Sequence, residues 1–329
     1  MINDVCSEFK SGKNIKADSI SESGEYPVYG GNGLRGYTSS YNHEGLYVLI
    51  GRQGALCGNV RSVNGKTYIT EHAIAAAGNE KSNTSFLHYL FLKMNLGQYS
   101  DQSAQPGLAV NKLLKLEVSL PPISEQKKIA KLLSLLDERI ATQNKIIDKL
   151  QSLIKGIGKQ LFMDNQNWRT IKIGELLRIG NGKDYKHLSI GKIPVYGTGG
   201  QMLLVNDYLY DGESVCIGRK GTIDTPMFLK GKFWTVDTLF YTYDFKDVLP
   251  KFCYYLFLQI NWKLYNEGTG VPSLSKSTIE NIKVKIPSLE QQQKICSILD
   301  CYEHKTNNEE QILELYHSEK QYLLRQMFI

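Results

Sequence analysis

The chain has 329 residues, 42% of them hydrophobic, and a formal charge of +6, which sets a prior of about two domains with sizeable cores. No apolar run approaches the ~18 residues of a membrane span, and no charged-then-apolar leader opens the sequence at Met1; a soluble, cytoplasmic protein is expected. The six cysteines show no CxxC or Cys/His zinc spacing and read as reduced thiols, while a pI near 8.8 permits an anionic partner without requiring one.

Residues 1–121 are rich in Tyr, Val, Ile and Gly, with runs such as LYVLIG that read as short strands between turns. Among them YPVYGGNGLRG, Tyr26 to Gly36, carries the Gly31-x-Gly33-x-x-Gly36 spacing of a dinucleotide loop. That fingerprint must open a helix, and the following YTSSYNHEG has no helical period. A tight loop flanked by strands is expected instead, since glycine accepts positive φ and close backbone approach. Then come the loop IGRQG, Ile50 to Gly54, a short amphipathic helix in SFLHYLFLKMN, and the loop SAQPGLAVNK before a final strand.

After Pro121-Pro122 the pattern changes. In residues 122–163 the positions Ile129, Leu133, Leu136, Ile140, Gln143, Ile147, Leu150, Ile154, Ile157 and Leu161 alternate four and three apart, a heptad seam. A helix of about 39 residues spans about 58 Å, too long for one module to cover alone.

Residues 164–287 repeat the first module. Pro27, Tyr29, Gly30 and Gly33 recur as Pro194, Tyr196, Gly197 and Gly200 in IPVYGTGGQML, and IGRQG recurs at the same offset as IGRKG, Ile217 to Gly221. The offset then falls by one residue, matching YLFL at Tyr89 to YLFL at Tyr255, and Pro106 and Leu108 to Pro272 and Leu274. His72 and Asp237 head the runs EHAIAA and VDTLFY, which read as matched strands. Residues 288–329 carry a weaker copy of the seam. Gly31 and Gly36 become Thr198 and Leu203, so the dinucleotide spacing is absent from the second copy. The fold class is α+β, with duplicated globular domains at 1–121 and 164–287 and long helices at 122–163 and 288–329. The first helical segment is net basic and the second net acidic, and a whole domain separates them, so an antiparallel pair holding the two globes apart is expected.

LPPISEQKKIAKLLSLLDERI, repeated as IPSLEQQQKICSILD, together with PVYGGNG and IGRQG, resembles the specificity subunit of type I restriction-modification systems. The resemblance covers nearly the whole chain. It implies two target recognition domains, each reading half of a split, asymmetric site in double-stranded DNA, and an antiparallel pair of conserved helices on which two modification (methyltransferase) subunits dock. Restriction (translocase/nuclease) subunits are further partners in such systems. Catalysis and S-adenosylmethionine binding belong to the partners, so neither a cofactor nor a catalytic residue is expected here. One departure concerns the amino end: the second globe opens with NWRTIKIGELLRIG, whereas the first starts at MINDVCSEF, short of that pattern and of its first strand.

Arg52 and Arg219 sit in the same Ile-Gly-Arg-x-Gly loop, and Arg reads guanine edges and grips phosphates; the bland alternative is a solvated loop Arg or an internal ion pair. Gln53 and Lys220 differ within that matched loop, beside Gly54 and Gly221, as domains reading different half-sites should. Tyr29, Gly30, Asn32, Tyr196, Gly197 and Thr198 lie on the glycine loop, where Asn can read adenine and Tyr can touch phosphate. Gln105, Gly107, Thr269 and Ser273 occupy the last loop and suit phosphate contact. Two rivals stand beside this reading. A self-sufficient DNA-modifying enzyme lacks its Asp/Asn-Pro-Pro-Tyr/Phe loop here, and no Walker loop, His-Glu metal pair or Gly-x-Ser-x-Gly elbow is present. A scaffold binding protein or glycan would show no steep salt dependence on DNA.

Overall fold

A computed structural model describes residues 1–54, 56–101, 106–163 and 167–328. The chain forms two compact units, one of residues 1–144 with 311–329 and one of residues 145–310.

In the first unit, β1 (Cys6–Ser11), β2 (Tyr26–Gly30), β3 (Gly33–Thr38), β4 (His43–Glu44), β5 (Tyr47–Gly51), β6 (Val60–Val63), β7 (Lys66–Ile69) and β8 (Ala73–Gly78) precede α1 (Thr84–Met94), α2 (Val110–Leu113) and the start of α3 (Ile123–Met163). The strands pair as β1-β8-β5-β6 and β3-β2-β7-β4. Successive side chains of a strand point to opposite faces, and β5 is apolar on both. Val48 and Ile50 join Phe86, Leu87 and Phe91 of α1 in one core, while Leu49 packs with Ile69, Ala73 and Ala75 in another. The second unit continues with β9 (Arg169–Lys172), α4 (Ile173–Leu176), β10 (Arg178–Asn181), β11 (Ile190–Gly197), β12 (Gly200–Val205), β13 (Tyr210–Gly218), β14 (Met227–Thr235) and β15 (Leu239–Tyr243). It ends with α5 (Pro250–Gln259), α6 (Lys276–Asn281), β16 (Lys283–Ile286) and α7 (Leu289–Gln326), whose last residues belong to the first unit. Here one sheet runs β10-β15-β13-β14-β11-β12.

The two sheet systems are the same sheet. β4 with β5 corresponds to β13, and β6 with β7 to β14. The hinge of the equivalence is a glycine pair: Gly45 and Gly65 exchange backbone hydrogen bonds at 3.2 and 3.1 Å, and Gly212 faces Gly231 in the continuous β13–β14 ladder. Ile2 N–H donates to the Leu116 carbonyl as Ile173 N–H donates to that of Ile282, so Ile2 is the counterpart of Ile173, the first residue of α4. Among the described residues nothing in the first unit corresponds to β9.

Each long helix is tied to its unit by one buried glutamine. Gln126 Oε1 accepts from Asn83 N–H at 2.8 Å, and its Nε2 donates to the carbonyls of Lys81 and Pro121, both at 2.9 Å. Gln292 repeats all three bonds with Leu249, Asp247 and Pro287 at 2.9, 3.0 and 3.1 Å. Both amides are 0% exposed. A second tie is less symmetric. Tyr89 O–H donates to Asp137, which also meets Lys320, whereas Tyr255 O–H donates to Asp300 and Glu303, with Lys251 as the cation. His88, beside Tyr89, has a buried Nδ1 that meets no hydrogen-bond partner among the described residues. Burial lowers its pKa to about 4, Lys320 adds to the drop and Asp137 opposes it.

Replacing Gln126 or Gln292 with Leu strands three backbone groups, each costing about 1–3 kcal/mol when buried without a partner, so either variant is expected to lose about 3 kcal/mol or more of stability. Urea unfolding followed by circular dichroism measures it, and a loss under about 1 kcal/mol would contradict the clamp. His88 generates a pH dependence. An unfolded histidine protonates near pH 6.5, while the folded one stays neutral until about pH 4. This contribution is therefore complete above pH 6.5 and is lost as pH falls toward 4, up to about 3 kcal/mol. His88→Tyr, the residue found at the equivalent position 254, is expected to flatten that part of the stability–pH curve; an unchanged slope refutes the assignment.

Candidate nucleic-acid interface

Three loops meet at one end of the central sheet in each unit. The first is a hairpin tip: β2 and β3 close at Gly30–Gly33, and β11 and β12 at Gly197–Gly200. Gly33 and Gly200 have φ of +109° and +107°, which explains their survival in both copies. The glycine spacing of residues 31–36 thus serves a turn followed by a strand, not a phosphate cradle opening a helix. The tip leans on the second loop, since a Cβ at Gly31 would come 2.7 Å from the His72 carbonyl oxygen and 3.5 Å from the Arg52 nitrogen.

That second loop is held chiefly by its backbone. Arg52 N–H donates to the His72 carbonyl and the Arg52 carbonyl accepts from Leu108 N–H, both at 2.9 Å; Arg219 does the same with Thr238 at 2.8 Å and Leu274 at 2.9 Å. Gly54 N–H donates to the Pro106 carbonyl at 3.0 Å, and Gly221 N–H to that of Pro272 at 2.9 Å. Gln53 bridges to Gly107 and Lys220 to Ser273. Gly54 and Gly221, at φ +83° and +88°, make the turn that returns the chain to this third loop. The equivalence corrects one sequence match: Ala73 pairs with Gly51 and Leu239 with Gly218, so His72 corresponds to Thr238, not Asp237.

Of the residues singled out from sequence, Asn32, Gln53, Arg219, Lys220 and Thr269 are exposed; Arg52, Gly54, Gly107, Thr198, Gly221 and Ser273 are half-buried around the same junction. Gly30 and Gly197 are buried, and Tyr29 and Tyr196 pack half-buried against the small cores beneath the hairpins. Gln105 lies outside the described residues. The Arg219 guanidinium rests 6.0 Å from the Phe240 ring centre and 3.5 Å from the Asp237 carbonyl. Among the described residues that of Arg52 has no hydrogen-bond or ion-pair partner. His72 Nδ1 lies 3.0 Å from Gln53 Oε1, which holds that amide in place.

Sequence reasoning passed over several neighbours. Arg61 of β6 lies against Gly33 at the hairpin tip; it falls where the repeat offset changes, so no matched motif pointed to it. In the second unit a cleft of about 380 Å³ is lined by Asn181, Arg219, Lys220, Phe240, Glu267 and Lys276. Glu267 accepts from Ser275 Oγ at 2.9 Å and from Thr278 Oγ1, and these hydroxyls, Thr278 first, hold its carboxyl below the usual range. Its N–H donates to the Ser273 carbonyl at 2.9 Å, as Asp101 N–H donates to that of Gly107 at 3.0 Å. Asp101 is bound by Lys112 at 2.5 Å instead. An acid thus braces the third loop in each unit.

Residues 1–152 and 165–315 match the family described as the type I restriction modification DNA specificity domain. The chain is 44% identical over 134 residues to the EcoprrI type I restriction enzyme specificity subunit of Escherichia coli, a match covering 40% of this chain and 33% of that one. It is 27% identical over 331 residues to a putative type I restriction enzyme specificity subunit of Haemophilus influenzae, covering 90% of this chain and 84% of the relative. The type I restriction-modification S subunit from M. genitalium shares the fold with a TM-score of 0.72 at 19% identity, over 100% of this chain and 95% of that one. A chain from a study of complex assembly and conformational transition of the type I R-M system aligns with a TM-score of 0.60 at 13% identity, over 99% and 96%. With the family model matched on both copies of the internal duplication, this chain belongs to the type I restriction-modification DNA specificity domain family.

Proposed function

We propose that the chain is the DNA-specificity subunit of a type I restriction-modification complex, each unit reading one half of a bipartite, asymmetric site in double-stranded DNA. One observation carries this reading: the same backbone-held junction of three loops occurs in both units, each presenting an arginine (Arg52, Arg219) beside side chains that differ, Gln53 against Lys220 and the Gly31-Asn32 tip against Thr198-Gly199. Fixed loops with exchanged side chains are what two readers of different half-sites need, because base edges are distinguished by donor and acceptor pattern. In this reading the arginines and Lys220 meet base edges or phosphate, and Gly107, Thr269 and Ser273 line the phosphate path. The long helices run antiparallel and carry two modification subunits, which bind S-adenosylmethionine and perform the chemistry; restriction subunits join the same assembly. Support for the antiparallel pairing comes from within each unit, where Asp137 meets Lys320 and Gln151 meets Glu310, the numbering rising on one helix as it falls on the other.

Sequencing methylated DNA from cells that express this chain with a modification subunit tests the proposal, one split motif being the expected product. Arg52→Ala is expected to weaken binding through one half-site and Arg219→Ala through the other, each by about 1–3 kcal/mol for a bidentate base contact. Lys220→Gln should alter preference in the second half-site only. Equal binding by all variants at matched salt, or binding indifferent to salt, would remove the DNA-reading assignment.

A further inference from the structure

The two hairpin tips of the loop junction differ by an exchange that the matched loops do not show. The ladder of β2 with β3 shifts register between Val28 and Tyr29, and that of β11 with β12 between Val195 and Tyr196, which leaves Arg35 and Met202 as the unpaired residues at equivalent places. Such a bulge re-aims its side chain. Each lies over the first glycine of its tip: a Cβ at Gly30 would come 2.8 Å from Arg35 Cδ, and one at Gly197 2.9 Å from Met202 Sδ. The strand beside the tip repeats the exchange. Arg61 pairs with Leu49 and Met227 with Cys216, and Leu49 and Cys216 each precede the isoleucine of an Ile-Gly-Arg-x-Gly loop, so Arg61 and Met227 correspond. The Arg61 guanidinium takes the space beside Gly33, whereas nothing lies within 4 Å of a Cβ at Gly200. Arg35 is exposed and Arg61 half-buried. Among the described residues neither guanidinium has a hydrogen-bond or ion-pair partner.

Unneutralised cations at such a place suit phosphate or base, and the second unit decides between them. A phosphate is offered by every sequence, so a residue that only grips it gains nothing by differing between the copies. Here both positions change together, and to an uncharged thioether. The cations are moved rather than lost. The second unit has Lys220 where the first has Gln53, and Lys276, in the cleft with Arg219, where the first has Val110. Each junction thus sets two further cations beside the arginine that both share. Equal charge in different places keeps a similar attraction for the backbone and alters which base edges are met.

We infer that Arg35 and Arg61 determine specificity by reading guanine in the half-site of the first unit, and that Met202 and Met227 read thymine in that of the second. Arg donates bidentately to guanine O6 and N7, and an apolar side chain packs on the thymine methyl, a contact to which a flexible, polarizable thioether adapts readily. The inference rests on the DNA-reading assignment and adds to it the bases that the two hairpins require.

The test uses the complex of this chain with a modification subunit and sequences the DNA that it methylates. A wild-type complex that yields no split motif removes the DNA-reading assignment itself. Given a split motif, Arg35→Met with Arg61→Met is expected to relax at least one G·C pair in one half. Met202→Arg with Met227→Arg should replace an A·T pair by G·C in the other, with the spacer unchanged. Base analogues put the same question to the wild-type protein. 7-Deazaguanine in the first half removes the N7 acceptor and deoxyuridine in the second removes the methyl group, and each should weaken binding roughly fivefold at one position or more. The Arg35→Met, Arg61→Met protein should lose the 7-deazaguanine effect there. A motif kept by either swapped pair overturns the inference, and so does uniform weakening over all sequences, which is the mark of phosphate contacts. If a swapped protein methylates nothing, the analogues decide: wild-type binding indifferent to both overturns the inference, and the stated losses sustain it.

Discussion

Everything the two units present depends on a buried amide at the start of each long helix. Gln126 and Gln292 each join three backbone groups from two loops to the first turns of a long helix. A side-chain amide has one acceptor and two donors available on two atoms, and here they meet one N–H and two carbonyls. No other uncharged side chain of similar size supplies that set: Leu offers none of it, and Glu would oppose a carboxylate to two carbonyl oxygens. Buried polar groups satisfied in this way fix geometry because every alternative leaves one unpaired.

The duplication separates what the fold needs from what it is free to change. The elements kept between copies are the turn glycines Gly33 and Gly200, and Gly54 and Gly221, all with positive φ, the prolines of the third loop and the glutamine clamp, all of which act through the backbone. The elements that differ are side chains at the loop junction and the cations near the tyrosines, with Lys320 serving Asp137 in one unit and Lys251 serving Glu303 in the other. An ion pair can be rebuilt from another direction because charge is tolerant of approach. A turn that requires positive φ has no such alternative.

Much of this was legible in the sequence, for a physical reason: repetition marks positions where the backbone leaves no choice. The hairpin at residues 26–38, the Ile-Gly-Arg-x-Gly turns and the Pro-Gly and Pro-Ser loops all stood out as matched segments, and the structure brings them together. Arg61 and Asn181 did not, because they come from elements outside the matched motifs and reach the junction only through folding; Glu267 and Lys276 flank the matched Pro-Ser loop and were passed over because neither is repeated in the first copy. The one-residue error that set Asp237 against His72 arose from similar apolar patterns; only the strand register, Ala73 on Gly51 and Leu239 on Gly218, resolves it. Gln126 and Gln292 were visible as a motif while their mechanism was not, since a heptad pattern gives no hint that a polar residue beside it is fully buried.

The first unit closes around residues made after the whole of the second. Residues 145–310 are continuous in the chain, whereas residues 1–144 need 311–329, including the Phe328 ring that stacks on Phe86. Domains ordinarily fold in the order in which the ribosome releases them. Here the amino-terminal sheet must wait, incompletely covered, until the final turns of α7 leave the exit tunnel, while the interior segment can finish first. Translation order and folding order are thus inverted, and a chain interrupted late in synthesis would carry a finished second unit attached to an unfinished first one.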